Sequence, residues 1–403
     1  MKLVTTAGRG SMDYYAAQLA AHLPDVDLFE TDESQRIERQ FNRSFWSPET
    51  VRSLRVDVGF VRRLRRLEGP LHFPNHHLAR YGNFLSVPYV VTVHDLIRYF
   101  DLQRRQPFIH RPNLVDRAYL RLDYAGIRRA DAIIAVSNTT KADVVECLGV
   151  PESRVHVVYE GVDQQRFHPS HARPFDFPYV LFVGSEHPRK NLGELIEAFA
   201  LLKRSGHHPD LRLVKVGAAG GTESDFRATT ASLIARHGLG PEVVMVDRVH
   251  EDALPAYYAG AECTVLPSLY EGFGFPAVEA MACGSPVVVS SAGSLPEVVG
   301  DAGVVVSPRV PEQLAQAIHT LLVDPQRRAQ LREAGLRRAA MFTWEQAAAG
   351  TRRVYATLED GVPAIPTAVP SGAGDLTEEK RVTPTAIGSR TRMGISLVAP
   401  QRR

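Results

Sequence analysis

The sequence predicts an α/β protein of two doubly wound halves that face each other across a cleft. Three observations carry this expectation. The chain has 403 residues, and a single core rarely grows past ~250–300 residues, so two domains are expected. Short apolar runs alternate with longer amphipathic segments, the pattern of βα units on a parallel sheet. A Pro-rich stretch, FHPSHARPFDFP at 167–178, interrupts that pattern and reads as a linker.

The elements follow in order. VPYVVTVHD (87–95) is a buried strand with a polar end. ADAIIAVSNTTKADVVECLG (130–149) reads as strand, turn and helix, and RVHVVYEGVD (154–163) as a further strand. After the linker, YVLFVGS (179–185) is a strand that turns on Gly184, and a helix follows from about Leu192 to Ser205. LRLVKVG, EVVMVD, CTVLP, SPVVVS and AGVVVSP supply five more short strands, separated by helical segments such as PEQLAQAIHTLL (311–322). TWEQAAAGTRRVYATLED (343–360) is the last helix. The stretch 361–403 is Pro, Thr, Ser, Gly and Arg without periodicity and reads as a disordered tail. The boundaries are therefore 1–168, 177–342, the helix 343–360 and the tail. In open parallel sheets, ligands bind beyond the carboxyl ends of the strands. With two such sheets, the site is expected in the cleft between them.

Composition narrows the function. A net charge of +2 with 23% charged residues argues against a nucleic-acid partner. Cys147, Cys263 and Cys283 are an odd, dispersed set with no disulfide or metal-ligand spacing, as in a reducing compartment. No segment reaches the ~18 apolar residues of a membrane span, and the first twenty residues lack a signal-peptide core. A cytoplasmic protein is expected, with peripheral contact at the inner membrane face left open. RSLRVDVGFVRRLRRLEG (52–69), basic with interleaved apolar residues, suits an anionic lipid surface, an anionic acceptor or plain solvent equally.

The chemistry concentrates in two places. In SLYEGFGFPAVE (268–279), Glu271 and Glu279 straddle a glycine-aromatic turn behind a strand. Pro276 suits a first helical turn, and the glycines let the backbone turn sharply and present bare N–H groups. Carboxylates accept from sugar hydroxyls, and amides at a helix start face phosphate or sugar oxygens. In GSEHPRKNLGELIEAF (184–199), Arg189 and Lys190 stand between a strand and a helix. Two cations there suit a diphosphate, Arg as a bidentate donor and Lys as a point charge. Taken singly, each group also reads as an ordinary helix start or solvated basic turn. His94 ends an apolar strand and points to the cleft if the topology holds, or is a structural strand-end histidine. Asp25 and Asp27 in PDVDLFE resemble a metal-binding pair, but lie in the wrong part of the chain for the cleft.

Together these motifs resemble family 4 retaining glycosyltransferases of the GT-B fold, through EGFGFPAVE, VGSEHPRKNL, VVTVHDL, VSNTTKADV, YEGVD and SPVVVSSAGSLPEVVGDAGVVVSP. The resemblance runs over roughly Phe73 to Tyr355 and is stronger in the second half. It implies two Rossmann-like domains, the first binding the acceptor and the second the nucleotide sugar, with the last helix packing back on the first. It implies that Glu279 holds the ribose, and that Glu271 meets the transferred sugar together with amides around Phe273, Gly274 and Phe275. Arg189 and Lys190 would bind the diphosphate, with Gly184 beside them. His94 would lie near the sugar, and Arg248 and Val249 near the base. No metal or other cofactor is implied. Many members carry a Gly-Gly pair in the first loop, where this chain has TAGRGSMDYY. Gly10 still permits close backbone approach to the donor, but the pairing is altered. The expected reaction is hexose transfer from a nucleotide diphosphate sugar to the hydroxyl of a glycan, lipid-linked or small-molecule acceptor. GDP-mannose is the first choice of donor, because PNHHLAR followed by VVTVHDL resembles mannosyltransferases, and a UDP-hexose the second. A GT-B phosphorylase, a glycoside hydrolase using the two glutamates, and a non-catalytic glycan-binding scaffold are the alternatives.

Overall fold

The computed structural model describes residues 1–6, 10–31, 48–103, 108–220 and 224–360. It contains two six-stranded parallel sheets. The first is ordered β2-β1-β3-β4-β5-β6, with β1 Lys2–Thr6, β2 Asp27–Thr31, β3 Leu71–Phe73, β4 Tyr89–Val93, β5 Ala132–Ala135 and β6 Val155–Val157. The second is ordered β12-β11-β10-β7-β8-β9, with β7 Tyr179–Val183, β8 Arg212–Val216, β9 Val243–Val246, β10 Cys263–Leu266, β11 Val287–Ser290 and β12 Gly303–Val306. The central strands YVVTV and AIIA are buried throughout. Helices cover both faces of such a sheet, so its strands carry apolar runs rather than alternation.

Local chemistry sets the helix ends. Ser137 caps the helix Asn138–Leu148 by accepting from the Thr140 N–H at 3.0 Å, and Gly149 ends it in the left-handed region. The helix Leu192–Arg204 buries Leu192, Leu195, Ile196, Phe199 and Leu202, one face at helical spacing. Each such burial contributes roughly 1.5–3 kcal/mol, and Phe199→Ala would cost about 3–5 kcal/mol.

The stretch 154–163 differs from its expected form. β6 stops at Val157; the Val158 N–H still donates to the Ala135 carbonyl of β5, and the chain then meets its own return. The Val162 N–H donates to the Phe342 carbonyl at 3.0 Å. A Cβ on Gly161 would stand 2.4 Å from the Trp344 nitrogen. The two crossings between the halves therefore lie side by side. Beyond them the helix Trp344–Asp360 packs on the first sheet, where Trp344, Ala347, Ala348 and Val354 join Leu3, Leu19, Val90 and Ile134. The Tyr355 hydroxyl and His72 Nδ1 are 2.7 Å apart.

Asp25 and Asp27 hold no metal-like arrangement. Asp27 pairs with Lys2 at 2.8 Å and Asp25 with Arg352. The proposed tail and residues Gly8 and Arg9 lie outside the described residues.

Candidate functional site

Strand order places the site. In the second sheet the order reverses between β7 and β10, so the loops behind these neighbouring strands splay apart and leave a crevice. The loop behind β7 carries Arg189 and Lys190; the loop behind β10 carries Glu271. They meet there. Glu271 accepts from Lys190 Nζ at 2.7 Å, Arg189 Nη1 at 2.9 Å and the Ser268 hydroxyl at 2.7 Å. Burial alone would raise the Glu271 carboxyl, but the two cations outweigh it and hold it at about 2. Glu271 is thus a carboxylate at any ordinary pH.

The backbone around this group is tightly constrained. Asn191 adopts a left-handed conformation (φ 56°), and its amide donates to the carbonyls of Pro267 and Pro308, tying its loop to those behind β10 and β12. Gly217, behind β8, approaches the Gly184 carbonyl so closely that a Cβ would stand 2.6 Å from it. Gly274 (φ 98°) turns the chain into the helix Phe275–Ala282, with Pro276 in its first turn. The Ser294 hydroxyl lies 3.1 Å from the Glu271 carbonyl and 3.0 Å from that of Phe273, bracing the turn from behind β11.

Glu279 is the fifth residue of its helix, just past the first turn. It is half-buried, which pushes its carboxyl up, and it accepts from the Tyr258 hydroxyl at 2.7 Å. Tyr14, on the helix Ser11–Ala21 of the first half, packs edge-on against Phe275. Burial, with Asp163 and Glu279 nearby, pushes the Tyr14 phenol up to about 12. The Phe273 ring is buried against Tyr159, Phe275 and Phe342, so only its backbone is available to a ligand.

His94 closes the site from the first half. Its Nδ1 is 2.7 Å from Glu160 Oε1 and its Nε2 is 2.8 Å from the Pro74 carbonyl. Both partners are acceptors, an arrangement that favours a ring protonated at both nitrogens. Burial would pull His94 down; the hydrogen bond and charge of Glu160, aided by Pro74, outweigh it and hold the ring above its ordinary range. What His94 turns towards the second half is its carbonyl, which abuts Gly272. Nearby, Glu297 reaches across and accepts from the Asn138 and Thr139 N–H groups at 2.8 and 3.1 Å and lies 3.2 Å from the Thr139 hydroxyl.

Three expected residues stand apart from this group. Arg248 is exposed and Val249 half-buried; both follow β9, two strands away from β7. Gly10 caps the helix Ser11–Ala21 with φ −81°, a conformation open to any residue, and its N–H donates to Asp13. Sequence reasoning missed Ser268, Tyr258, Ser294, Glu160 and Glu297. It also missed His187, whose ring is pulled down to about 4 by burial and by Arg189 and Lys190, and whose Nε2 is buried without a hydrogen-bond partner. Among the described residues, no group of three or more His, Cys, Asp or Glu side chains is placed to hold a metal ion.

Comparison with known proteins places this geometry. Residues 163–338 match the family model described as glycosyl transferases group 1, and residues 11–166 match that of glycosyltransferase family 4. The MMP α-(1→4)-mannosyltransferase of Mycolicibacterium hassiacum is 34% identical over 278 residues, 67% of this chain and 66% of that protein. The chain spans 46–66% of the length of such curated relatives. Among solved structures, sucrose-phosphate synthase from Thermosynechococcus elongatus superposes with a TM-score of 0.71 at 23% identity, over 90% of this chain and all of that one. The Anabaena protein HepE, in complex with UDP and glucose, gives 0.69 at 20% identity, over 89% of this chain and 99% of that one. At these identities the likeness is one of fold, and the fold is GT-B.

Proposed function

Because the chain belongs to the family 4 glycosyltransferases, we propose that it transfers a hexose from a nucleotide diphosphate sugar to an acceptor hydroxyl with retention of configuration. GDP-mannose is the donor we place first, in keeping with the mannosyltransferase name of a relative. A UDP-hexose is second, in keeping with the UDP and glucose bound by a protein of the same fold.

The observation that carries this reading is the Glu271–Lys190–Arg189 group at the switch point of the second sheet. In this reading the two cations turn to the diphosphate and stabilise the charge that builds on it as the glycosidic bond breaks. Glu271, ionised, accepts from hydroxyls of the sugar. Glu279 accepts from the ribose. The leaving diphosphate takes the acceptor's proton on the same face. The first half holds the acceptor, a glycan, lipid-linked or small molecule. Closure excludes water, which would otherwise hydrolyse the donor. We expect no metal requirement, so chelation should leave transfer unchanged.

The hydrolase alternative fits less well. It needs one carboxyl as acid and the other as nucleophile or base at the sugar, but Glu279 is held by the Tyr258 hydroxyl and both Glu271 oxygens are held by Lys190, Arg189 and Ser268. A cytoplasmic location is part of the reading; among the described residues, no helix is long and apolar enough to cross a membrane.

The test is calorimetric titration of the protein with GDP, UDP and ADP, repeated for Glu279→Ala. Binding of one nucleotide that is lost in the variant supports the donor site. Absence of binding to well-folded protein overturns it and moves the phosphorylase and scaffold readings ahead.

A further inference from the structure

Eight large hydrophobic side chains are exposed among the described residues, and five lie on one face of the first half. Leu54 (51% exposed) and Val58 (50%) stand on the helix Pro48–Leu64, and Leu114 (78%) and Leu122 (40%) on the helix Leu114–Arg129. Phe84 (45%) lies between them. The contacts fix this neighbourhood. Tyr81 and Tyr119 both donate to Asp57, joining the two helices. The Phe84 carbonyl accepts from Arg65 at 2.8 Å, and Asn83 donates to the Leu122 carbonyl at 2.8 Å. Isolated exposed apolar residues need no explanation, but a contiguous set does.

Basic side chains dominate this face, although Glu68 and Asp131 are exposed at its amino edge. Arg55, Arg62, Arg66, Arg121, Arg128 and Arg129 are all exposed. The acids described on the same two helices turn inward: Asp57 takes the two tyrosines, and Asp116 and Asp123 are buried. Arg62 and Arg66 lie where the chain descends to the start of β3, and Arg128 and Arg129 just before β5. They therefore stand at the amino ends of the strands. His94 and Glu160 follow the carboxyl ends of β4 and β6, at the opposite edge. This sets Arg62 and Arg66 away from the cleft edge.

We propose that this two-helix face seats the protein on an anionic phospholipid bilayer, with Leu54, Val58, Phe84 and Leu122 entering the interface and the arginines meeting lipid phosphates. Apolar side chains set among basic ones on the exposed side of amphipathic helices match the depth and charge of that interface. The inference is independent of the donor chosen for the reaction.

The full chain is spun with vesicles of phosphatidylcholine alone and of phosphatidylcholine mixed with phosphatidylglycerol. At low salt, at least ~10-fold stronger association with the anionic vesicles is expected, weakening as salt rises. Two double variants, Arg62→Glu with Arg66→Glu and Leu54→Ser with Val58→Ser, should each lose most of it while keeping their thermal unfolding and nucleotide titration. No association with anionic vesicles, or equal association with both kinds, overturns the proposal. So does a Leu54/Val58 variant that binds vesicles as the parent does, which would mark a general polyanion site that soluble heparin also fills.

Discussion

The backbone of Gly272 lies against the carbonyl of His94. A Cβ added at residue 272 would stand 1.7 Å from that oxygen and 2.8 Å from its carbon. The glycine here is needed for close approach and not for an unusual φ, since residue 272 is not among the positive-φ glycines. Through this contact the loop that carries Glu271 reaches the strand end that carries His94. Gly272→Ala should therefore hold the two halves apart and leave each half folded. Transfer should fall by about 10²-fold, as expected for reacting groups displaced by about an ångström. Nucleotide affinity should stay within a few-fold. Kinetics with donor and acceptor, beside a nucleotide titration, check this; unchanged transfer would show that closure does not pass through this contact.

Glu271 makes a prediction in acid. Its carboxyl is held at about 2, against an ordinary value of 4.5. A depressed carboxylate contributes stability that is present above the unfolded value and lost as pH falls through the folded one. The window is therefore pH 4.5 down to about 2, and the contribution is on the order of 3 kcal/mol. Glu271→Gln removes this term and leaves Lys190 and Arg189 facing an amide. The variant should melt lower than the parent at pH 7, and the gap should close as pH falls through the window. Melting curves taken from pH 7 to about pH 2 decide it; a gap independent of pH would show that the ion group contributes nothing through its charge.

Much of this arrangement was legible in the sequence because it is local. Arg189 and Lys190 follow one strand and Glu271 another, and any doubly wound sheet delivers such residues to its carboxyl edge. That these particular strands are neighbours is a matter of strand order, which no local pattern encodes. Glu160 was invisible as a partner of His94 because 66 residues separate them and both look like ordinary strand-end polar groups. Glu297 was invisible because its partners are backbone N–H groups at residues 138 and 139, which carry no side-chain signature. Arg248 and Val249 were placed by resemblance alone, and they follow the edge strand.

The buried pair of His94 and Glu160 gives the opposite pH behaviour. The His94 ring is held above its ordinary range, with both nitrogens facing acceptors. Its contribution is fully present below the unfolded histidine value, near 6.5, and is lost as pH rises through the folded value. His76 and His72 also face this ring, but burial pulls both down, so they stay neutral across this range. Tyr15 packs edge-on at 4.8 Å and is pushed well above the ordinary phenol. Nitrogen-15 spectra across a pH series should place the His94 titration above that of an exposed histidine, and Glu160→Gln should bring it down while keeping the fold. A parent ring that titrates at or below the ordinary histidine value would refute the double-donor arrangement.

Glu297 supplies the last test, because it bridges the halves by capping a helix that it does not belong to. The helix Asn138–Leu148 already has its own cap in Ser137, which takes the Thr140 N–H. Glu297 takes the two N–H groups before that, from the second half. Removing a cap typically costs about 1 kcal/mol. Here the helix would survive on Ser137, so the cost should fall on closure and not on helix stability. Glu297→Ala should leave the far-ultraviolet spectrum and the first unfolding step unchanged. The apparent KM for the donor should rise roughly fivefold, the equivalent of that energy, and small-angle scattering of the donor-saturated protein should report a larger radius of gyration than the parent. Loss of helix signal with an unchanged KM would mean that the contact serves the helix alone.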